Sequence, residues 1–143
     1  MNEYRFEDLT VGMEEQFEVT VTDEMMDHFR ELSGDCNPLH TQEAFAKRMG
    51  YGERVVSGML TASFLSTLAG VYLPGKYSLI HQVETEFPGP VHVGDVLQVS
   101  GRVTQIQEAF RCFTMKTTIK NQQDKKVLRG KMRVGFLEEQ QGE

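Results

Sequence analysis

Apolar and polar positions along the chain follow two different periods, and the change from one to the other divides it. After a short strand pattern at residues 16–21, Thr22 is followed by Asp23 and Glu24, an N-cap with acids in the first helical turn. Met25, Phe29 and Leu32 then recur at i, i+4 and i+7, which predicts one apolar helix face ending at Gly34. From residue 35 to 56 the period is lost among polar side chains, Pro38, Gly50 and Gly52. That stretch is expected to be loop, with one short helix at residues 42–49. Residues 57–72 differ again. Met59, Leu60, Ala62, Phe64, Leu65, Leu68, Ala69 and Val71 spread around the whole circumference of a helix, so protein should enclose it on most sides.

The second half has period two. Residues 79–87 read as a strand that stops at Pro88-Gly89-Pro90, because proline offers no ladder N–H. Gly94-Asp95 marks a turn. Leu97, Val99 and Val103 then share one parity of a strand, and Phe113, Met115, Thr117 and Ile119 alternate with Thr114, Lys116, Thr118 and Lys120 in the next. A turn at residues 121–124 leads to a last strand at 126–136, where Leu128, Gly130, Met132 and Val134 oppose Arg129, Lys131 and Arg133. One enclosed helix followed by four antiparallel strands predicts an α+β fold with a curved sheet around the helix. The polar tail after Leu137 is expected to fray.

With 143 residues and no linker or repeat, one domain over residues 1–143 is expected. A net charge of -6 argues against a nucleic-acid surface, which needs clustered Lys and Arg. Cys36 and Cys112 are far apart and have no metal-type spacing, so reduced thiols are expected. The start MNEYRFEDLT lacks the basic residues and apolar run of a signal peptide, and the serines and threonines within residues 55–73 argue against a membrane span. A cytoplasmic protein is expected. His28, His81 and His92 have no ligand-spaced partners, and no phosphate loop or dinucleotide fingerprint is present.

Candidate chemistry concentrates in Ser33-Gly34-Asp35-Cys36-Asn37-Pro38-Leu39-His40, where an acid and an imidazole stand five positions apart just after a helix. Histidine titrates near neutrality, and a carboxylate beside it can share a water with it or orient it. On spacing alone the simpler account is structural, with Asp35 bonding its own loop and His40 a structural donor.

The wider pattern changes that reading. The block 34–40, followed by Ala44-Phe45-Ala46 and then Val56-Ser57-Gly58-Met59-Leu60, resembles the MaoC-like dehydratase family, and within it the (R)-specific enoyl-CoA hydratases. Phe87-Pro88-Gly89-Pro90-Val91 with Gly94-Asp95 is similar to that family's downstream turn. The resemblance implies a hot-dog fold, a dimer with sheets joined edge to edge, and reversible hydration of trans-2-enoyl-CoA to (R)-3-hydroxyacyl-CoA. It implies Asp35 and His40 as the acid-base pair on a shared water. From the absence of ligand-spaced histidines and of a nucleotide fingerprint, no cofactor and no metal are expected, with coenzyme A or acyl carrier protein as the substrate's carrier.

The attack places negative charge on the thioester oxygen, and an amide at a helix N-terminus can hold it. Gly58 is the candidate for that amide, Ser66 is similar to a serine that relatives present to the acyl group or the catalytic loop, and Asn37 would brace the loop. Three positions depart from the family pattern: Ser57 stands where many relatives have His, Arg54 where they have Pro, and Cys36 where they often have an aromatic residue. Ser57 can still cap the helix. Lys47, Arg48, Arg54 and Lys76 are the nearby basic residues for a carrier phosphate. A hot-dog thioesterase and a non-catalytic acyl-binding subunit are the rival expectations.

Overall fold

The structure, a computed structural model, describes residues 1–140. Its elements run β1 (Glu14–Thr20), α1 (Asp23–Ser33), α2 (Pro38–Thr41), α3 (Glu43–Arg48), α4 (Gly58–Thr67), β2 (Ser78–Glu86), β3 (Val96–Gln107), β4 (Cys112–Lys120) and β5 (Lys126–Phe136). The strands form one antiparallel sheet in the order β1-β3-β4-β5-β2. Among the described residues no helix is long and apolar enough to cross a membrane.

Period two in the sequence becomes one buried face of this sheet. Val99 pairs with Ile119 and Ile119 with Leu128, while Val103 pairs with Met115 and Met115 with Met132. All of these side chains are fully buried. Against them lie Leu60, Leu65, Leu68 and Ala69 from α4 and its continuation, one core with the sheet. Each buried Leu there contributes roughly 1.5–3 kcal/mol relative to exposure. The result is the hot-dog fold, with α4 as the filling. At its C-terminal end α4 passes into a π-helical turn, Leu68–Tyr72, and Tyr72 stacks on Phe17 of β1 with ring centroids 4.8 Å apart.

One helical expectation needs correction. In α1 the buried side chain is Met26, and Leu32 is exposed, because the helix lies over the rim of the core and presents only its first turns to it. Helix α4 is enclosed on most sides, as its apolar circumference predicts, and Met59, Ser63 and Ser66 form an exposed stripe along it. Thr22 Oγ1 accepts from the Met25 N–H at 3.2 Å, and Gly34, at φ 74°, closes α1 in the left-handed conformation that glycine adopts without strain.

β3 and β4 meet at a short turn, Glu108–Phe110, whose Phe110 is exposed. Arg111 behind it donates to Glu7, lies 3.3 Å from Glu138 and sits over the Phe6 ring. The tail from 141 to 143 lies outside the described residues.

Candidate active site

The loop expected between α1 and α4 is organised by side-chain caps. Ser33 Oγ donates to the Phe29 carbonyl at 2.7 Å and accepts from the Asp35 N–H at 3.1 Å. Asp35 Oδ1 accepts from the Asn37 N–H at 3.1 Å, an Asx turn. Asn37 Oδ1 in turn accepts from the Leu39 N–H at 3.0 Å, with Pro38 at the first helical position, so Asn37 caps the single turn α2 that carries His40. Asn37 therefore braces the loop that carries Asp35 and His40. The sequence pattern did not resolve α2, because four residues are too few to show a period.

A short extended segment, Val55-Val56, locks this loop to the β2–β3 connection. The Val55 N–H donates to the Leu39 carbonyl at 3.1 Å and the Val56 N–H to the Val91 carbonyl at 2.7 Å. His40 Nδ1 lies 2.6 Å from the Val55 carbonyl oxygen. A carbonyl can only accept, so Nδ1 carries a proton, and in the neutral form of the ring Nε2 is left as an acceptor. Nε2 points to Asp35 Oδ2 at 3.9 Å, too long for a direct hydrogen bond. The carbonyl of Val55 is a contributor that no sequence motif marks, since any residue supplies one.

His40 takes part in the lining of two hollows. A cavity of about 420 Å³ is lined by His40, Gly58, Thr61, Val56, Val91, Val127 and the Phe87–Pro90 turn, with Tyr51 at its edge. A much smaller hollow of about 20 Å³ lies among Asp35, His40, Ser57, Thr41, Phe29 and Met26. His40 borders both, whereas Asp35 borders only the small one. Ser57 Oγ accepts from the Met59 N–H at 3.3 Å and so caps α4, as its place in the sequence suggested. Gly58 follows at the first helical position, on the cavity wall. A larger concavity of about 520 Å³ on the outer face of the sheet, among Glu14, Arg102, Lys116 and Lys120, contains none of these residues.

The structure thus brings Asp35, Asn37, His40 and Gly58 together and leaves Ser66 apart, exposed on the open stripe of α4 and outside the cavity lining. Cys36 is an exposed free thiol. Arg54 is engaged in an ion pair with Asp23, and its carbonyl accepts from His92 Nδ1 at 2.8 Å. Lys76 is bound to Glu3, away from the cavity, and that contact raises its pKa. His28 is on the solvated face of α1, 3.8 Å from Glu24. Among the described residues no group of three or more His, Cys, Asp or Glu is placed to hold a metal ion.

Two solved structures of similar shape are named as (R)-hydratases. The (R)-hydratase from A. caviae involved in PHA biosynthesis superposes with a TM-score of 0.86 at 33% identity, covering 90% of this chain and 98% of that one. R-Hydratase PhaJ1 from Pseudomonas aeruginosa gives 0.88 at 28% identity, covering 94% and 86%. In sequence, an (R)-specific enoyl-CoA hydratase of Rhodospirillum rubrum is 31% identical over 79% of this chain and 78% of its own length. A 3-hydroxybutyryl-CoA dehydratase of Methylorubrum extorquens is 35% identical over 71% of this chain, a match spanning 64% of that protein. Residues 8–125 match the MaoC like domain, and the chain belongs to that family.

Proposed function

We propose that the protein reversibly hydrates trans-2-enoyl-CoA to (R)-3-hydroxyacyl-CoA. The observation that carries this reading is the position of His40, whose Nε2 lies 3.9 Å from Asp35 Oδ2 and which borders the cavity that Gly58 also lines. A single water hydrogen-bonded to both groups at about 2.8 Å fits that separation. The small hollow between them, about 20 Å³, has room for about one water molecule.

Such a water donates hydrogen bonds to Asp35 Oδ2 and His40 Nε2 and keeps its lone pairs free. Oxygen attacks C3, the π pair of C2=C3 moves toward the thioester carbonyl, and the Gly58 amide meets the resulting oxyanion. The Asp35–His40 pair takes one proton from water and returns one to C2, so the net change is addition of water across the double bond. No metal or redox group takes part in these steps. Coenzyme A is the substrate's carrier, and acyl carrier protein is the alternative carrier to compare.

The assembly proposed is a homodimer through β2. That strand is the sheet edge next to β5, and its Leu79, Ile80 and Val83 are half exposed, as an unpaired edge rarely is unless another chain covers it. Light scattering on the purified protein reads this directly.

Purified protein mixed with crotonyl-CoA should bleach the enoyl absorbance and yield the (R)-3-hydroxy product on chiral analysis. Free thiol released from a saturated acyl-CoA would point to thioester hydrolysis instead. Tight binding with neither change would make the chain an acyl-binding subunit.

A further inference from the structure

A hollow of about 380 Å³ adjoins the active-site cavity, and the two share Pro88, Gly89, Pro90 and Val127 as a common wall. The rest of its lining includes the β4–β5 turn, which contributes Lys125 and Lys126. Both lysines are exposed, and neither is in an ion pair among the described residues. The acids nearby are already engaged. Asp95, also in the lining, accepts from the His92 N–H at 3.0 Å through Oδ2 and from the Gln122 amide at 2.9 Å through Oδ1. Asp124, between the two glutamines and the lysines of the turn, lies 3.4 Å from Lys120.

The turn itself is held by side chains. Asn121 Oδ1 accepts from the Gln123 and Lys125 N–H groups at 3.0 and 3.1 Å, and Gln122 Oε1 accepts from the Val96 N–H at 3.1 Å. Lys125 and Lys126 therefore start from a fixed backbone beside the cavity, two unpaired cations on a chain of net charge -6. The cavity has no Lys or Arg in its lining. Lys47, Arg48, Arg54 and Lys76, the basic residues that the sequence offers for a carrier phosphate, line neither hollow. A thioester beside His40 and Gly58 has a carrier arm that leads to phosphate, and phosphate is bound through charge-assisted hydrogen bonds from cations.

We propose that the adjoining hollow seats the phosphate groups of the substrate's carrier, with Lys125 and Lys126 as their counter-charges. This rests on the hydratase reading, which sets the thioester beside Gly58.

The test compares three crotonyl thioesters, of pantetheine, which has no phosphate, of coenzyme A and of acyl carrier protein. The readout is the ratio of each carrier's kcat/KM to that of pantetheine, or the ratio of Kd values by calorimetry where none is turned over. The wild type should favour coenzyme A over pantetheine. Lys125→Ala/Lys126→Ala should lower that ratio by about tenfold, the effect of two exposed charge pairs. Lys125→Gln/Lys126→Gln, which keeps most of each stem, should do the same, and Lys47→Ala/Arg48→Ala should leave the ratio unchanged. A fall for coenzyme A alone assigns the hollow to its nucleotide phosphates. A fall for both carriers assigns it to the phosphate that both bear next to pantetheine.

Ratios that both lysine variants leave unchanged, or that fall in Lys47→Ala/Arg48→Ala instead, overturn the proposal without touching the hydratase reading if crotonyl-CoA is still hydrated. A fall for acyl carrier protein alone also overturns it, since the lysines would then contact the protein and not the phosphate. Absence of turnover with a Kd ratio that falls in the lysine variants overturns the hydratase reading alone. Failure of the wild type to bind any of the three thioesters overturns both.

Discussion

The ring of Phe87 lies where a side chain at position 58 would go: a Cβ on Gly58 would stand 3.1 Å from the nearest ring carbon. Phe87 is 45% exposed, so its ring can swing outward and Gly58→Ala should still fold. The added methyl would then stand between the amide and the thioester. Hydration should fall by about 10²-fold, the effect of losing one oxyanion donor. Adding Phe87→Ala should recover any lost thermal stability without recovering rate. Undiminished turnover in Gly58→Ala would remove this amide from the oxyanion role.

Asp35→Asn and His40→Gln should each lower kcat by about 10²–10⁴-fold. Both residues act on one proposed water, so the double variant should be little slower than the slower single variant. Multiplying effects in a crotonyl-CoA assay would show two independent roles.

Ser57 is buried and its hydroxyl caps α4 through the Met59 N–H. Ser57→Ala should cost about 1 kcal/mol, or roughly 3–4 °C in Tm, whereas Ser57→Gly should cost only a few tenths of a kcal/mol. Thermal unfolding of the two variants side by side checks this. Equal losses would mean that packing rather than the cap matters at this position.

A pH-dependent contribution is expected from the far side of the fold. The Arg111 guanidinium, hydrogen-bonded to Glu7, holds the Glu7 carboxyl below its ordinary value. A carboxylate with a depressed folded pKa contributes stability that is complete above its unfolded pKa and is lost as pH falls through the folded one. Denaturation midpoints of wild type and Glu7→Gln should therefore differ at neutral pH and converge in acid. The pair is exposed, so the difference should be small and should shrink further in salt.

Much of the sheet was legible because period two is a strong signal when one face is buried. Val99, Met115, Ile119 and Met132 all point inward as their parity requires. In α1 the period placed Leu32 on the buried face, but register against the core, which depends on how the helix meets the sheet, put Met26 there. Asp35, Asn37, His40 and Gly58 were legible through a motif whose local bonds are made within a few residues. The Val55 carbonyl and the Phe87 ring were not, since they reach His40 and Gly58 only through tertiary packing.

The β3–β4 turn at Glu108–Phe110 projects from the sheet while Arg111 moors its base to Glu7. No residue of that turn lines the cavity, and the residues that do belong to the segment from Leu39 to Val91 together with Val127. A fluorescent label or a peptide insert placed between Ala109 and Phe110 would thus ride on the scaffold as a passenger, giving a handle for immobilising or tracking the enzyme while its chemistry proceeds elsewhere.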